Sequence, residues 1–329
     1  MENSLISKRD SLLLRGGGIF LMLLHHLFFS PSSRALYDDI IVHGIGIVNQ
    51  IGIYSKLCVA VFVFVSGYGL VVSTSHNIKL KDFYFRRFKK LYLNYWFIWL
   101  FFVPISVFVF GRSFSDVYGD HAVYKAVLDF MGLVKILGID SYNPTWWFYS
   151  CIIILYLLFP ILNIWLWKSP YLVVSIAATI GLMGNIPGIN VIKSFLFVFI
   201  VGMIMAKIPL KWIDSTNCHQ IIIALALLSV WRFTKTSPRH IVDSLLCVGI
   251  ALFVYKVNLY NWISIFFEEL GKHSMNMFLT HTFIYYLWFG NYIYITRNPF
   301  LIFVSLLATS YLLSVLIEWI KKKIGFYKI

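Results

Sequence analysis

The sequence predicts an all-α protein, a polytopic bundle of about ten transmembrane helices with both termini in the cytoplasm. Three observations predict it. Of the 329 residues, 60% are hydrophobic and only 13% charged, where soluble domains carry about 25% charged residues. Apolar runs long enough, or nearly long enough, to cross a bilayer recur along the whole chain. Lys and Arg fall mainly in the short loops between those runs, with an excess on alternate loops.

In chain order the apolar segments cover about 12–29, 54–74, 92–110, 146–167, 171–186, 194–209, 219–235, 240–255, 275–292 and 299–320. The first is followed by SPSSRA and has the outline of a signal peptide, but it carries Arg15 and many spans follow it, so it reads as a retained helix. With the N-terminus inside, the inner loops hold 17 of the 28 Lys and Arg and the outer loops 9, leaving Arg15 and Lys56. Odd-numbered segments then run from inside to outside. The longest outer loop, about 111–145, carries Asp116, Asp120, Asp129 and Asp140 and is either an extracytoplasmic lid or a connector. No internal repeat, low-complexity tract or appended soluble domain interrupts the pattern.

The formal charge of +14 is accounted for by positive-inside topology, so no nucleic-acid partner is expected. Cys58, Cys151, Cys218 and Cys247 lie in or at the edge of apolar segments without metal-ligand spacing, so they read as core residues, and no metal is expected. The eleven Trp and twenty Tyr are ample for interfacial belts.

The stretch that asks for a function is RGGGIFLMLLHH, residues 15–26. Arg15 and His26 are eleven residues apart, which is 1100° of helix or three turns plus about 20°, so both leave one face, roughly 16 Å apart along the axis. A charge and an imidazole in a membrane helix are expensive and want partners or a use. His26, beside His25, can take a proton from a hydroxyl or carry an acyl group; the competing reading is a packing histidine bonded to a carbonyl. Arg15 stays charged and wants an anion, unless it snorkels to the cytoplasmic interface. Gly16 to Gly18 weaken the helix but admit a close neighbour. In FYFRRFKKLYLNYW, residues 83–96, Arg86, Arg87, Lys89 and Lys90 stand at the inner mouth of the third segment; they can hold a cofactor's phosphates or serve as a positive-inside anchor. Ser66-Gly67, the Trp146-Trp147 pair opening the fourth segment, Ser274 and, two turns later, His281 complete the polar or amphipathic features at or within the spans.

Together these motifs, in order and text, resemble the integral membrane acyltransferase family 3 along nearly the whole chain. The family's arginine, ten residues, histidine signature falls on Arg15 and His26, and its Phe-rich stretch ending in Ser-Gly-aromatic on Phe62, Phe64, Ser66, Gly67 and Tyr68. Its double arginine followed by a basic residue and Tyr-Trp falls on Arg86, Arg87, Lys90, Tyr95 and Trp96. Trp147, Phe148, Tyr156 and Pro160 match its Trp-Phe to Tyr-x-x-x-Pro segment, and Gly271, Ser274, Leu279 and His281 its late motif. Three positions depart: Ser11, with Asp10 one place off, where an acidic residue is common; Leu93 in place of proline; and Lys90 in place of arginine.

The resemblance implies one transmembrane acyltransferase domain over residues 1–329, in the inner (cytoplasmic) cell membrane. It would move an acetyl group from cytoplasmic acetyl-CoA to a hydroxyl of an extracytoplasmic carbohydrate such as capsule, O-antigen or exopolysaccharide. His26 and Arg15 are then the expected catalytic residues, and Arg15, Arg86, Arg87 and Lys90 the CoA-binding ones. His25, Ser66, Trp147, Ser274 and His281 would support substrate or structure. A transporter or flippase for a glycan or small solute would also use an intramembrane Arg and His, and is the alternative.

Overall fold

The computed structural model describes residues 5–74, 79–184, 190–209, 213–234, 238–257 and 261–328. Lys211 and Lys235, two of the loop cations counted above, lie outside the described residues. The chain is 80% helical. Among the described residues the one small sheet is an antiparallel hairpin of β1 (Ile41–Val42) and β2 (Ile45–Gly46), with Ile41 opposite Gly46 and Val42 opposite Ile45.

The helices are α1 (Lys8–Phe28), α2 (Ile47–Tyr54), α3 (Leu57–Ser73), α4 (Leu80–Phe108), α5 (Phe114–Tyr118), α6 (Ala122–Phe130) and α7 (Trp147–Lys168). They continue as α8 (Pro170–Leu182), α9 (Asn190–Met205), α10 (Cys218–Phe233), α11 (Arg239–Lys256), α12 (Asn261–Thr282), α13 (Gly290–Ile293) and α14 (Pro299–Lys323). Within the described residues each of the ten apolar segments overlaps a helix, although 275–292 runs from the end of α12 through a π-helical turn at Phe283–Trp288 into α13. Among the described residues five stretches are long and apolar enough to cross a membrane: Lys8–Phe28, Ile47–Ser73, Leu80–Phe108, Trp147–Lys168 and Pro299–Lys323. Pro170–Leu182, Ile192–Met205 and Cys218–Phe233 are apolar but shorter. Arg239, Asp243 and Lys256 make α11 more polar, as Glu268, Glu269 and Lys272 do for α12.

Two close helix contacts organise the bundle. α1 and α12 run in the same direction, Arg9 reaching Glu268 and Ser264 at one end and the His26 and His281 rings meeting at the other. Their backbones touch: a Cβ on Gly16 would lie 1.9 Å from the Phe267 carbonyl oxygen, and one on Gly271 would lie 2.1 Å from that of Leu12. α3 and α9 meet in the same way through Gly67 and Gly202. Such contacts let van der Waals packing hold helices together where lipid is as apolar as the side chains. A buried polar knot adds specificity: the Lys321 ammonium on α14 donates to Asn94 on α4 and Asn276 on α12, both at 2.8 Å, and Asn276 donates to Glu318 at 2.7 Å.

The start of α1 is set by Ser7 and Asp10. The Ser7 hydroxyl accepts the Asp10 amide at 3.1 Å and the Asp10 carboxylate accepts the Ser7 amide at 2.9 Å, a capping box. Asp10 therefore anchors the helix from its own register, one place from where acidic residues are common. The far end is closed by side chains as well: Tyr294 donates to the Leu27 carbonyl at 2.9 Å and Asn49 to that of Phe28 at 2.7 Å.

The long loop after α4 does not stand away from the bundle. It folds back along α4, where Tyr92, Tyr95 and Trp96 donate to the carbonyls of Met131, Asp129 and Phe130 at 2.9, 2.7 and 2.9 Å. Asp129 is fully buried in this arm and accepts from Tyr118 at 2.5 Å and from the Tyr142 amide at 2.6 Å. Burial holds its carboxyl up at about 6, against the three hydrogen-bond donors that favour the carboxylate. A carboxyl raised above its ordinary value of 3.8 favours the folded arm below that value and loses the contribution as pH rises through about 6. Limited proteolysis of the arm is therefore expected to speed up between about pH 4 and pH 7 in the wild type relative to Asp129→Asn. Equal profiles for the two proteins would disprove the assignment.

Candidate active site

Because α1 is unbroken from Lys8 to Phe28, Arg15 and His26 do share a face, about 16 Å apart along the axis. Arg15 is half-buried, and its Nε donates to the Ser11 carbonyl at 3.2 Å. Tyr156 on α7 has Ser66 of α3, Arg15 of α1 and Arg87 of α4 in its neighbourhood. Arg87 is half-buried and its guanidinium donates to the Ser73 hydroxyl at the end of α3. Among the described residues neither Arg15 nor Arg87 has a carboxylate partner. Half-buried cations without a carboxylate partner are able to take up an anion.

Arg86 and Lys90 are not among them. They sit one turn apart on the exposed face of α4, with Arg86 Nε donating to the Asp82 carbonyl at 3.2 Å. Between the Arg15 and His26 levels the Phe62 ring faces Gly18, where a Cβ would come within 3.1 Å of it. Phe62, Phe148 and Phe278 form a half-buried aromatic row, with ring centroids 6.3 and 5.5 Å apart.

At the far end three imidazoles stand in line. The His26 ring lies 5.1 Å from that of His25 and 4.9 Å from that of His281, with Tyr285 at 6.3 Å. Their roles differ. The buried His25 Nδ1 faces the Gly52 carbonyl at 2.8 Å and must carry its hydrogen there. His281, fully buried, gives Nδ1–H to the Phe278 carbonyl at 2.9 Å. His26 is only half-buried, and among the described residues neither of its nitrogens has a hydrogen-bond partner. The packing-histidine description therefore fits His25 and His281 and fails for His26, whose lone pair is free for chemistry.

The profile of the acyltransferase family 3 domain matches residues 12–319, nearly the whole chain. The chain belongs to acyltransferase family 3. It is accordingly an integral membrane acyltransferase. No curated protein and no solved structure matches it.

The other residues singled out in this family 3 acyltransferase have local explanations. Ser274 is buried and its hydroxyl donates to the Gly271 carbonyl of its own helix at 2.8 Å. Trp147 stacks on Phe195 with centroids 5.9 Å apart, at the mouth of α7. Its neighbour Trp146 goes deeper, donating Nε1–H to the Leu279 carbonyl at 3.1 Å beside the His281 turn. The sequence reading passed over Asn143, Thr145 and Thr282, which line up behind His281. Their types are ordinary in loops and helix ends, and only the adjacency of Thr282 to His281 hints at a role.

Proposed function

We propose that this acyltransferase takes an acetyl group from cytoplasmic acetyl-CoA and places it on a hydroxyl of an extracytoplasmic surface polysaccharide. The observation that carries the reading is the free, half-buried imidazole of His26, on the same helix face as an arginine without an acid partner. In this reading the ten helices that match the apolar segments all cross the cell membrane, with both termini inside. The Arg15 end of α1 then lies toward the cytoplasm, where CoA is, and the His26 end toward the acceptor.

Arg15 and Arg87 hold the anionic part of CoA, and Arg86 and Lys90, on the exposed face, add longer-range attraction. The acyl-bearing arm extends past Gly18 and the Phe62, Phe148 and Phe278 rings, a distance of about 16 Å. His26 takes the proton from the acceptor hydroxyl as its oxygen attacks the thioester carbon. The C–S bond then breaks, and the proton goes to the departing thiolate. A cavity of about 450 Å³ past the end of α1, lined by Arg34, Tyr37, Asp38 and Asp39 among others, offers donors and acceptors suited to a carbohydrate.

Release of free CoA by purified protein supplied with acetyl-CoA and a bacterial polysaccharide tests the reaction; solute flux without CoA release would point to transport instead. Donor binding has a sharper test. Arg87→Gln is expected to raise KM for acetyl-CoA about 10- to 100-fold, the value of a charge-assisted hydrogen bond of roughly 1.5–3 kcal/mol. Arg86→Gln is expected to raise it by less than about threefold, as for a screened surface charge. Equal effects would remove the distinction drawn between the two arginines.

A further inference from the structure

His281 touches His26 and also ends a buried hydrogen-bond chain that the acyl-transfer reading does not use. Its Nδ1 faces two carbonyl oxygens, Phe278 at 2.9 Å and Met277 at 3.2 Å, and because carbonyls only accept, Nδ1 carries the hydrogen. Nε2 lies 3.3 Å from the Thr282 hydroxyl, which lies 3.1 Å from the Thr145 hydroxyl, which lies 2.8 Å from Asn143 Oδ1. Thr282, Thr145 and Asn143 are all buried. The Asn143 amide is oriented by its surroundings: Oδ1 accepts the Thr145 backbone N–H at 3.0 Å and Nδ2 donates to the Leu279 carbonyl at 3.4 Å.

A chain of two hydroxyls between an imidazole and an amide oxygen can point either way. With His281 neutral, Nε2 is a lone pair; Thr145 donates to Thr282, and Thr282 donates to Nε2. With His281 protonated, Nε2–H donates to Thr282, Thr282 to Thr145, and Thr145 to Asn143 Oδ1. Each link is a hydrogen bond in both senses, apart from the last, where Oδ1 keeps the Thr145 amide when the hydroxyl turns away. Rotation of two hydroxyl groups thus lets a fully buried ring gain or lose a proton without stranding a donor, which would otherwise be costly in this setting.

We infer that His281 is the positioning partner of His26, its own ring held by the Thr282–Thr145–Asn143 chain. The inference rests on the acyl-transfer reading. As the acceptor oxygen bonds to the acyl carbon, its proton moves to His26, whose ring packs against that of His281 at 4.9 Å. When the C–S bond breaks, His26 passes the proton to the CoA thiolate. One proton leaves the hydroxyl and one arrives at sulfur, and no other reactant is consumed. His281 itself touches His26 and not the reacting atoms.

Thr282 separates this role from packing. Thr282→Val keeps the shape and deletes the hydroxyl, whereas Thr282→Ser keeps the hydroxyl and deletes a methyl. Positioning through the chain predicts kcat at saturating acetyl-CoA and polysaccharide about tenfold down in Val, with Ser about fivefold above Val and KM for acetyl-CoA unmoved in both. A packing role predicts the reverse order, because Ser leaves the larger void. Val equal to or faster than Ser would overturn the inference. Should Thr282→Val fail to fold, Thr145→Val and Thr145→Ser repeat the comparison one link further along, with the same expected order. Failure of the wild type to release CoA would be a different result: it would overturn the acyl-transfer reading and this inference with it.

Discussion

Replacing His26 with alanine is expected to lower acetyl transfer by about 10²- to 10⁴-fold, the range for losing a positioned general base, while the protein melts at nearly the wild-type temperature. Both halves follow from the site. His26 contributes no hydrogen bond to the fold among the described residues, so removing it leaves no buried donor or acceptor stranded. His25 and His281 cannot substitute for it, because each already gives its Nδ1–H to a backbone carbonyl and both are buried. CoA release and thermal unfolding, measured on the same detergent-purified sample, check the pair of outcomes. Retained transfer would dismiss His26 as the base, and loss of both activity and stability would make it a packing residue.

Gly271→Ala is expected to be strongly damaging, and Gly17→Ala to be harmless. A Cβ on Gly271 would lie 2.1 Å from the Leu12 carbonyl oxygen and 2.8 Å from its carbon, and backbone cannot turn aside as a flexible side chain can. α1 and α12 must then separate, at a cost of about 1–3 kcal/mol or more. The separation moves His26 from His281, and misplacement by about 1 Å can lower a rate about 10²-fold. Gly17 faces nothing within 4 Å, so alanine there only gains helix propensity, about 1 kcal/mol. Thermal unfolding and turnover of the two variants decide the matter; a Gly271→Ala protein with wild-type melting and rate would show that the helices do not touch as described.

The contrast between Gly16 and Gly17 also shows what the sequence could and could not reveal. Composition and run length place ten helices, because burying or solvating apolar side chains in lipid is a property of each segment by itself. The Arg15 and His26 face follows from helical period alone. Arg86 and Arg87 are adjacent and chemically equal in the sequence; only the packing phase of α4 half-buries Arg87 against Ser73 and leaves Arg86 outside. The start of α12 was hidden for a similar reason. Glu268, Glu269, Lys272 and His273 interrupt apolarity ahead of residue 275, yet the helix begins at Asn261 because Arg9 on α1 and Ser314 on α14 supply partners. Among four loop aspartates nothing local marks Asp129 as the fully buried one, since its tyrosine partners on α4 and in the arm are chosen by the fold-back. Thr145 and Thr282, 137 residues apart, are likewise joined only by tertiary structure.

The parallel pairing of α1 with α12 has a consequence in time. His281 follows His26 by 255 residues, and a ribosome making roughly 5–20 residues per second needs on the order of ten to fifty seconds to produce that length. For that interval the first helix waits in the membrane with Gly16 bare and Arg15 without its final surroundings. Phe62, on the next long helix to emerge, packs on Gly18 and can shelter one side early. The side meant for Phe267 stays open until α12 is made, so newborn copies are most exposed to wrong pairing and to quality-control proteases in the stretch before it appears.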